Sequence, residues 1–162
     1  MLLQSVLRCG GVLMLALYTS AAFAQGTPPY GAPISLENAK KTAAAALAEA
    51  RRAQRTPVVA IVDIAGDLVY FEKVDGAQTG SVDIAIAKAR SAARYKRSTE
   101  WFYDQLAAGG SGLRILRSEG AMPMRGGIPL VIDGRIVGAI GISGGPDREL
   151  GEWAQAGADA LQ

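Results

Sequence analysis

Two glycine-rich turns in the C-terminal half of the chain carry residue types suited to binding an anion. They are Gly126-Gly127 and Ser143-Gly144-Gly145, and the second is followed by Pro146 at the predicted start of a helix. Glycines let backbone N–H groups converge, and a helix N-terminus adds positive partial charge, although Pro146 lacks one donor. The pattern indicates a site for a carboxylate or phosphate at the Ser143-Gly144-Gly145 turn. Gly126-Gly127 would then form the opposite wall of the same pocket. The alternative is an ordinary tight turn from a strand into a helix.

Basic residues concentrate around the second half of a helix predicted over residues 82–95. They are Lys88, Arg90, Arg94, Lys96 and Arg97. Cations near a helix C-terminus interact favourably with the helix dipole, which is one explanation of the pattern. The other is a cradle for an anionic ligand, in which Lys88, Arg94 and Arg125 supply the charge. The sequence leaves both explanations open.

The residue types that are missing exclude several classes of catalysis. The chain has no histidine, and its one cysteine, Cys9, lies in the N-terminal apolar segment. These facts exclude a Ser-His-Asp triad and a His-ligated zinc, and they exclude a thiolate nucleophile once that segment is removed. The sequence contains neither a P-loop nor a glycine motif for dinucleotide binding. The formal net charge of +2 predicts no nucleic-acid partner.

Pairs of acidic and basic residues give no convincing catalytic site. Asp83 and Lys88 lie five residues apart, which is not the i,i+4 spacing of a helical pair. Asp63 and Asp67 flank a turn, where they could hold a cation or could bond to the turn backbone. Whether the protein is an enzyme therefore stays open.

Hydrophobic periodicity and capping residues predict the elements that position these side chains. Helices are predicted over about residues 36–54, 82–95, 99–106 and 146–161. Strands are predicted over 58–63, 68–74, 128–132 and 135–142, with a further short edge strand within 120–127. Residues 107–112 form a predicted flexible connector. Successive hairpins predict an α/β fold of the α+β type, with an antiparallel sheet of about five strands and helices packed on it.

The first 24 residues have the pattern of a secretory signal peptide. Arg8 precedes a short apolar core, and Ala22-Phe23-Ala24 is a cleavage motif, so the mature chain is expected to begin at Gln25. The apolar run is shorter than the roughly 20 residues that a membrane-spanning helix needs. Residues 25–34 are then an extended leader, and residues 35–162 form one domain. We expect a periplasmic or secreted protein with no membrane anchor after cleavage.

Three segments together resemble the GlcG/HbpS family, which includes the C-terminal domain of PduO-type proteins. The segments are VDIAGDL at 62–68, DGAQTGSVDIAIAKAR at 75–90 and GGIPLVIDGRIVGAIGISGG at 126–145. The similarity covers about residues 35–162 in the family's order, and the combination is more specific than any single motif. It implies a profilin-like α/β sandwich that forms homo-oligomers and binds a small molecule, with haem or a related tetrapyrrole as the leading ligand.

The sequence departs from the family at the iron ligand. Haem-binding relatives use an axial ligand such as histidine, which this chain lacks. Met122 and Met124, or else Tyr95 and Tyr103, are the candidate replacements, since thioether and phenol groups both ligate haem iron. The other way to hold haem is a purely apolar slot that gives the iron no ligand. The alternative for the methionines is packing in the core or at an interface. The complete candidate ligand-binding set is Lys88, Arg94, Tyr95, Met122, Met124, Arg125, Gly126, Gly127, Ser143, Gly144 and Gly145.

These observations support one leading hypothesis and two alternatives. The leading hypothesis is an exported haem- or tetrapyrrole-binding protein. The second is a periplasmic enzyme or auxiliary protein acting on a small organic acid or aldehyde, which rests on the basic helix and the glycine-rich turns. The third is an interaction module that binds a partner protein.

Overall fold

A computed structural model describes residues 26–162, so the predicted signal peptide lies outside the described residues. In chain order the elements are α1 (Leu36–Arg52), β1 (Val58–Asp63), β2 (Leu68–Lys73), α2 (Ser81–Tyr95), α3 (Thr99–Ala107), a 3-10 helix (Gly110–Arg117), β3 (Gly127–Ile132), β4 (Arg135–Ser143) and α4 (Asp147–Asp159). The strands form one antiparallel sheet in the order β2-β1-β4-β3. The predicted mixed fold with an antiparallel sheet is confirmed.

The sheet has four strands where the sequence predicted about five. The strand expected within residues 120–127 is absent, and β3 begins only at Gly127. Pro123 has no N–H to donate to a neighbouring strand, and the Met124 N–H donates instead to the nearby Met122 carbonyl at 2.8 Å. Gly126 then adopts a φ of 107°, which turns the chain into β3. The predicted flexible connector is also shorter than expected, since the 3-10 helix begins at Gly110.

Helices cover both faces of the sheet. Val59 and Ile61 of β1 belong to the apolar cluster that α1 and α4 share on one face. Val58, Ala60 and Val62 belong to the cluster of α2 on the other face. Successive side chains of a strand point to opposite faces, so β1 is buried on both sides. This explains why its sequence is a continuous apolar run with no polar alternation.

Helix α1 begins where the sequence predicted its cap. The Ser35 hydroxyl accepts the Asn38 N–H at 3.2 Å, which satisfies one of the free donors of the first turn. The alanines of its buried face, Ala39, Ala43, Ala46 and Ala50, have no exposed surface. Their small side chains let α1 pack closely against α4.

The residues before α1 run beside the start of β4. Tyr30 forms a parallel bridge with Ile136, and the Gly31 N–H donates to the Ile136 carbonyl at 2.8 Å. The Tyr30 hydroxyl donates to the Ala93 carbonyl at 2.8 Å. Residues 29–34 are therefore held against both the sheet and α2.

Helix α2 packs its backbone directly onto the sheet through two glycines. Gly127 and Gly141 are partners across the β3–β4 pair. A β-carbon at Gly141 would lie 2.0 Å from the Ala85 carbonyl oxygen, and one at Gly127 would lie 2.7 Å from the Lys88 carbonyl oxygen. Neither position has room for a side chain, so these glycines set the depth at which α2 lies.

We predict that Gly141→Ala destabilises the protein by about 1–3 kcal/mol, because the added methyl group forces α2 away from the sheet. The free energy of unfolding is measured by urea denaturation. The matched control is Gly151→Ala in α4, where a β-carbon meets nothing within 4 Å. We expect the control to be more stable than wild type by roughly 0.5–1 kcal/mol, since alanine favours helix over glycine. Equal stability of the two variants would contradict the close-packing argument.

Candidate functional site

A cleft of about 590 Å³ opens where β4 ends and α4 begins. Its walls include five residues of the set predicted from sequence, namely Lys88, Met124, Ser143, Gly144 and Gly145. The loop between α1 and β1, the start of α2 and the start of α4 complete the walls. The structure therefore brings the second glycine-rich turn, one lysine and one methionine to the same place.

The glycine-rich turn is shaped by packing as well as by its position at the cleft. Ser143 is the buried last residue of β4, and Gly144 has a φ of 106°. A β-carbon at Gly144 would lie 3.0 Å from the Cα of Pro57, and one at Gly145 would lie 2.7 Å from the Trp153 ring. Both glycines are thus needed for the tight passage into α4. The passage leaves their backbone facing the cleft beside the N-terminus of α4.

Lys88 is the buried charge of the cleft. It has no exposed surface, and its Nζ donates to the Ile142 carbonyl oxygen at 3.1 Å. Among residues 26–162, no carboxylate oxygen lies within 4.0 Å of this Nζ. Burial lowers the pKa of the Lys88 ammonium from 10.5 to about 8, because desolvation disfavours the charged form, and the Asp147 carboxylate opposes part of the shift.

The two candidate methionines occupy different surroundings. Met124 lines the cleft and is 38% exposed, so the residue is accessible to a ligand there. Met122 does not line the cleft, and its N–H donates to the Ser91 hydroxyl at 3.1 Å. The structure therefore places one of the two predicted thioether ligands at the cleft.

Gly126 and Gly127 lie behind the cleft wall and face an adjacent groove. This groove has a volume of about 450 Å³ and is also lined by Glu152 and Asp159 of α4. The Gly126 carbonyl accepts the Ile142 N–H at 2.8 Å, which joins the two walls through the backbone. The pair thus supports the cleft by holding β4 and α2 in place.

Arg125 is engaged by three carboxylates. Its Nε lies 3.2 Å from Glu100 and 3.9 Å from Asp147, and its Nη2 lies 3.6 Å from Asp104. These contacts tie α3 to the first turn of α4. Arg125 therefore borders the cleft through Asp147, and its charge is already compensated.

Arg90 and Arg94 hold the turn between β1 and β2, away from the cleft. The Arg90 Nε donates to the Gly66 carbonyl at 3.0 Å, and the Arg94 Nε donates to the Ala65 carbonyl at 3.2 Å. Arg90 and Arg94 of α2 therefore hold this turn in place.

The aspartates of the sequence analysis also lie away from the cleft. Asp63 stabilises the β1–β2 turn, since its Oδ1 accepts the N–H groups of Ala65, Gly66 and Asp67 at 2.8–3.0 Å. The Asp83 carboxylate is exposed and lines a groove with Arg90 and Arg94, so it is separated from Lys88.

The two candidate tyrosines lie on the α3 side of the molecule. Tyr95 donates its hydroxyl to the Glu119 carbonyl at 2.7 Å and packs edge-on against Phe102. It lines an aromatic groove of about 350 Å³ that also includes Trp101. Tyr103 is exposed, with the Arg125 guanidinium 5.0 Å from its ring centre. Neither tyrosine lines the cleft.

The cleft also includes residues that the predicted set lacked, and three of them bear on its charge or its helix N-termini. Arg55 follows α1, Ser81 is the first residue of α2, and Asp147 is the first residue of α4. Ser81 belongs to the second family-like segment, so its position in that motif was an available signal. Asp147 directly follows the predicted turn and helix start, so its position was also an available signal. Arg55 carried no signal, because only the pairing of β1 with β4 brings the α1–β1 loop to the end of β4.

The described residues, 26–162, include no helix that is both long enough and apolar enough to cross a membrane. They also hold no group of three or more histidine, cysteine, aspartate or glutamate side chains placed to bind a metal ion.

Comparison with known proteins finds a family match over most of the chain. Residues 34–159 match the family described as haem degrading protein HbpS-like. A 15.0 kDa protein of Citrobacter freundii, encoded in the dhaT-dhaS intergenic region, is 34% identical over 128 residues, which is 76% of this chain and 90% of that protein.

Two solved structures share the fold. The crystal structure of HbpS has a TM-score of 0.73 and 31% identity, covering 82% of this chain and 92% of that chain. The crystal structure of a PduOC:Heme complex has a TM-score of 0.72 and 27% identity, covering 80% of this chain and 96% of that chain.

Lys88 gives the stability of the protein a specific pH dependence. Between pH 8 and pH 10.5 the unfolded chain binds a proton at Lys88 that the folded chain has lost, so stability rises with pH across this window. We expect wild type to gain roughly 3 kcal/mol relative to Lys88→Met over this range. Urea denaturation of both proteins at about pH 7.5 and about pH 10.5, near the two ends of this window, measures the difference in unfolding free energy. Parallel changes in the two proteins would show that Lys88 has an ordinary pKa.

Proposed function

Because the chain belongs to the HbpS-like family of haem degrading proteins, we propose that it binds haem or a related tetrapyrrole in the cleft beside Lys88. Haem degradation, which the family is described by, requires that haem is bound, and the PduOC:Heme complex holds bound haem. The observation that supports this location is the convergence of Met124, Lys88 and the Ser143–Gly145 turn on one cleft. Bound haem would supply an iron centre for redox or ligand chemistry.

Met124 is the proposed iron ligand. A methionine thioether is an established haem ligand, and Met124 is the predicted methionine that lines the cleft with an exposed side chain. The chain has no histidine, so any iron ligand from this chain is of another type. The flexible, unbranched side chain can adjust its sulfur to the metal.

The cationic and backbone groups of the cleft suit the carboxylates of a tetrapyrrole. Arg55 lines the rim, and the N-termini of α2 and α4 both open onto the cleft at Ser81 and Asp147. Helix N-termini attract anions through their free N–H groups and their dipole. Lys88 adds an ammonium that lacks a carboxylate partner among the described residues.

The size and the apolar surface of the cleft are compatible with this class of ligand. Its volume of about 590 Å³ lies within the 300–1,000 Å³ typical of small-molecule sites. Ile84, Leu150 and the Met124 side chain provide apolar contacts. The donor set therefore fits an amphipathic macrocycle that bears carboxylates at one edge.

The aromatic groove beside Tyr95 is the competing location. It combines Trp101 and Phe102 with two arginines, Arg97 and Arg114. However, the Tyr95 hydroxyl is already bonded to the Glu119 carbonyl, and the Arg97 guanidinium lies over the Trp101 ring at 4.2 Å. A ligand would have to displace both contacts, so we favour the cleft.

We predict that hemin titration of the mature protein gives a saturable Soret change at micromolar concentration. Met124→Leu should shift the Soret band and weaken binding about tenfold, which corresponds to about 1.4 kcal/mol of lost coordination energy. Met122→Leu is the matched control, since this methionine lies outside the cleft, and it should bind as wild type does. Absorption spectroscopy across the titration measures both effects.

Two results would count against this proposal. Absence of any Soret change in wild type would reject haem binding altogether. A loss of binding in Tyr95→Phe, with Met124→Leu unaffected, would move the site to the aromatic groove.

We also propose that the protein acts outside the cytoplasm after removal of residues 1–24. The support is the Ala22-Phe23-Ala24 motif behind a short apolar core. Expression of the full chain in a bacterial host, followed by intact-mass and N-terminal analysis of the periplasmic fraction, should give a chain that begins at Gln25. Ala24→Gln should leave the precursor uncleaved. An unprocessed wild-type chain in the cytosolic fraction would contradict export.

A further inference from the structure

The amine of Lys88 is an unusual feature for a group that serves packing alone. It has no exposed surface, its one hydrogen bond in the structure is to the Ile142 carbonyl, and its residue is among those that line an open cleft. The amine therefore meets a compound in the cleft only when it leaves that carbonyl. A buried ammonium without an anionic partner is costly, so the group either meets an anion from outside or loses its proton. A neutral lysine amine is a nucleophile towards carbonyl compounds.

We propose that Lys88 forms a Schiff base with a small 2-oxo acid or aldehyde acid bound in the cleft. This reaction would use the same cleft as the proposed haem binding, but it does not depend on haem binding. It joins two properties of the cleft, namely a buried amine and groups suited to holding a carboxylate.

The walls of the cleft include groups that can hold the carboxylate of such a compound. The Gly144-Gly145 backbone and the N-terminus of α4 face the cleft from one side, and Arg55 lines it from another. Lys88 and these groups line one cleft of about 590 Å³, which accommodates a compound of three to five carbons with room to spare. A carboxylate bound there would also compensate the buried charge before reaction.

Three charged groups around the cleft affect the protonation of Lys88. The Asp147 carboxylate in the first turn of α4 favours the ammonium, and Arg125 pairs with Asp147 at 3.9 Å and so weakens that effect. Arg55 lines the cleft from the α1–β1 loop, and a positive charge close to the amine would favour its neutral form. Desolvation is the largest influence, and a pKa of about 8 gives Lys88 a neutral fraction at pH 7 roughly 300-fold larger than that of a lysine with a pKa of 10.5.

The reaction balances without any added oxidant or reductant. Lys88 loses a proton to solvent, and Nζ forms a bond to the carbonyl carbon while the π electrons move to oxygen. The oxygen takes one proton from nitrogen and a second from solvent, and it leaves as water. The product is a protonated C=N bond to Lys88. Asp147, in the cleft wall, is the carboxylate available to relay these protons.

The test is reductive trapping with sodium cyanoborohydride at pH 7, using pyruvate as the probe and acetaldehyde as a probe without a carboxylate. Intact mass counts the adducts, and peptide mapping locates them. Among the lysines we expect one pyruvate adduct, at Lys88, formed at least about tenfold faster than adducts at exposed Lys40, Lys41 or Lys73, since the exposed amines are more fully protonated. Acetaldehyde should show a smaller preference for Lys88, because it lacks the carboxylate.

The controls keep the outcome decisive. Lys88→Met should lose the fast adduct, and Met122→Leu should keep it. If Lys88→Met fails to fold, the comparison of wild type in buffer and in urea replaces it, because the preference for Lys88 should disappear on unfolding. Adducts spread evenly over the exposed lysines of folded wild type would overturn the proposal. Since no haem is present in this assay, its failure and a failure of hemin binding are separate results.

Discussion

The direct contact of helix α2 with strands β3 and β4 is the constraint on which the rest of the structure depends. Gly127 and Gly141 form a cross-strand pair without side chains, and the carbonyl groups of Ala85 and Lys88 occupy the space that β-carbons would fill. Alanines on the same face of α2 complete the contact. A helix this close to a sheet carries any long side chain on its inner face into the interior, which is how Lys88 comes to be buried.

That burial links the packing of the molecule to its chemistry. The Lys88 ammonium is removed from water and is bonded to one backbone carbonyl. An apolar side chain of similar size would avoid the desolvation cost, and replacement of buried charges by apolar groups is often neutral or stabilising. Lys88 is nevertheless among the residues that line the cleft, which is larger than the three grooves described above. Perturbed ionisable groups in clefts are frequent markers of functional sites, and this combination connects both proposals to one residue.

The remaining basic residues of the predicted set serve mainly to hold the fold. Arg90 and Arg94 bind the carbonyls of the β1–β2 turn, and Arg125 joins the carboxylates of α3 and α4. The cleft is therefore less positive than the number of basic residues suggests. One amine, the rim residue Arg55 and two helix N-termini suit a ligand with one or two carboxylates. This balance agrees with a small acid or a tetrapyrrole and argues against a polyanion.

Local sequence signals predicted the four α-helices, the four strands and the class of fold, because hydrophobic period, capping residues and turn dipeptides act over short distances. They failed at residues 120–127, where a fifth strand was expected, and at the 3-10 helix, while the three family-like segments indicated the family. Ser35 caps α1 as expected, and Asp133-Gly134 joins β3 to β4. Only the tertiary structure decided which candidate residues meet. Met122 and Met124 are two residues apart, yet one lines the cleft and the other is held by Ser91, because the turn before Gly126 points them differently. Arg94 and Lys88 share a helix, but the rotation and depth of α2 on its glycine pair send one to a turn and the other into the interior. Contacts between distant segments depend on such packing, and no local pattern of residues records them.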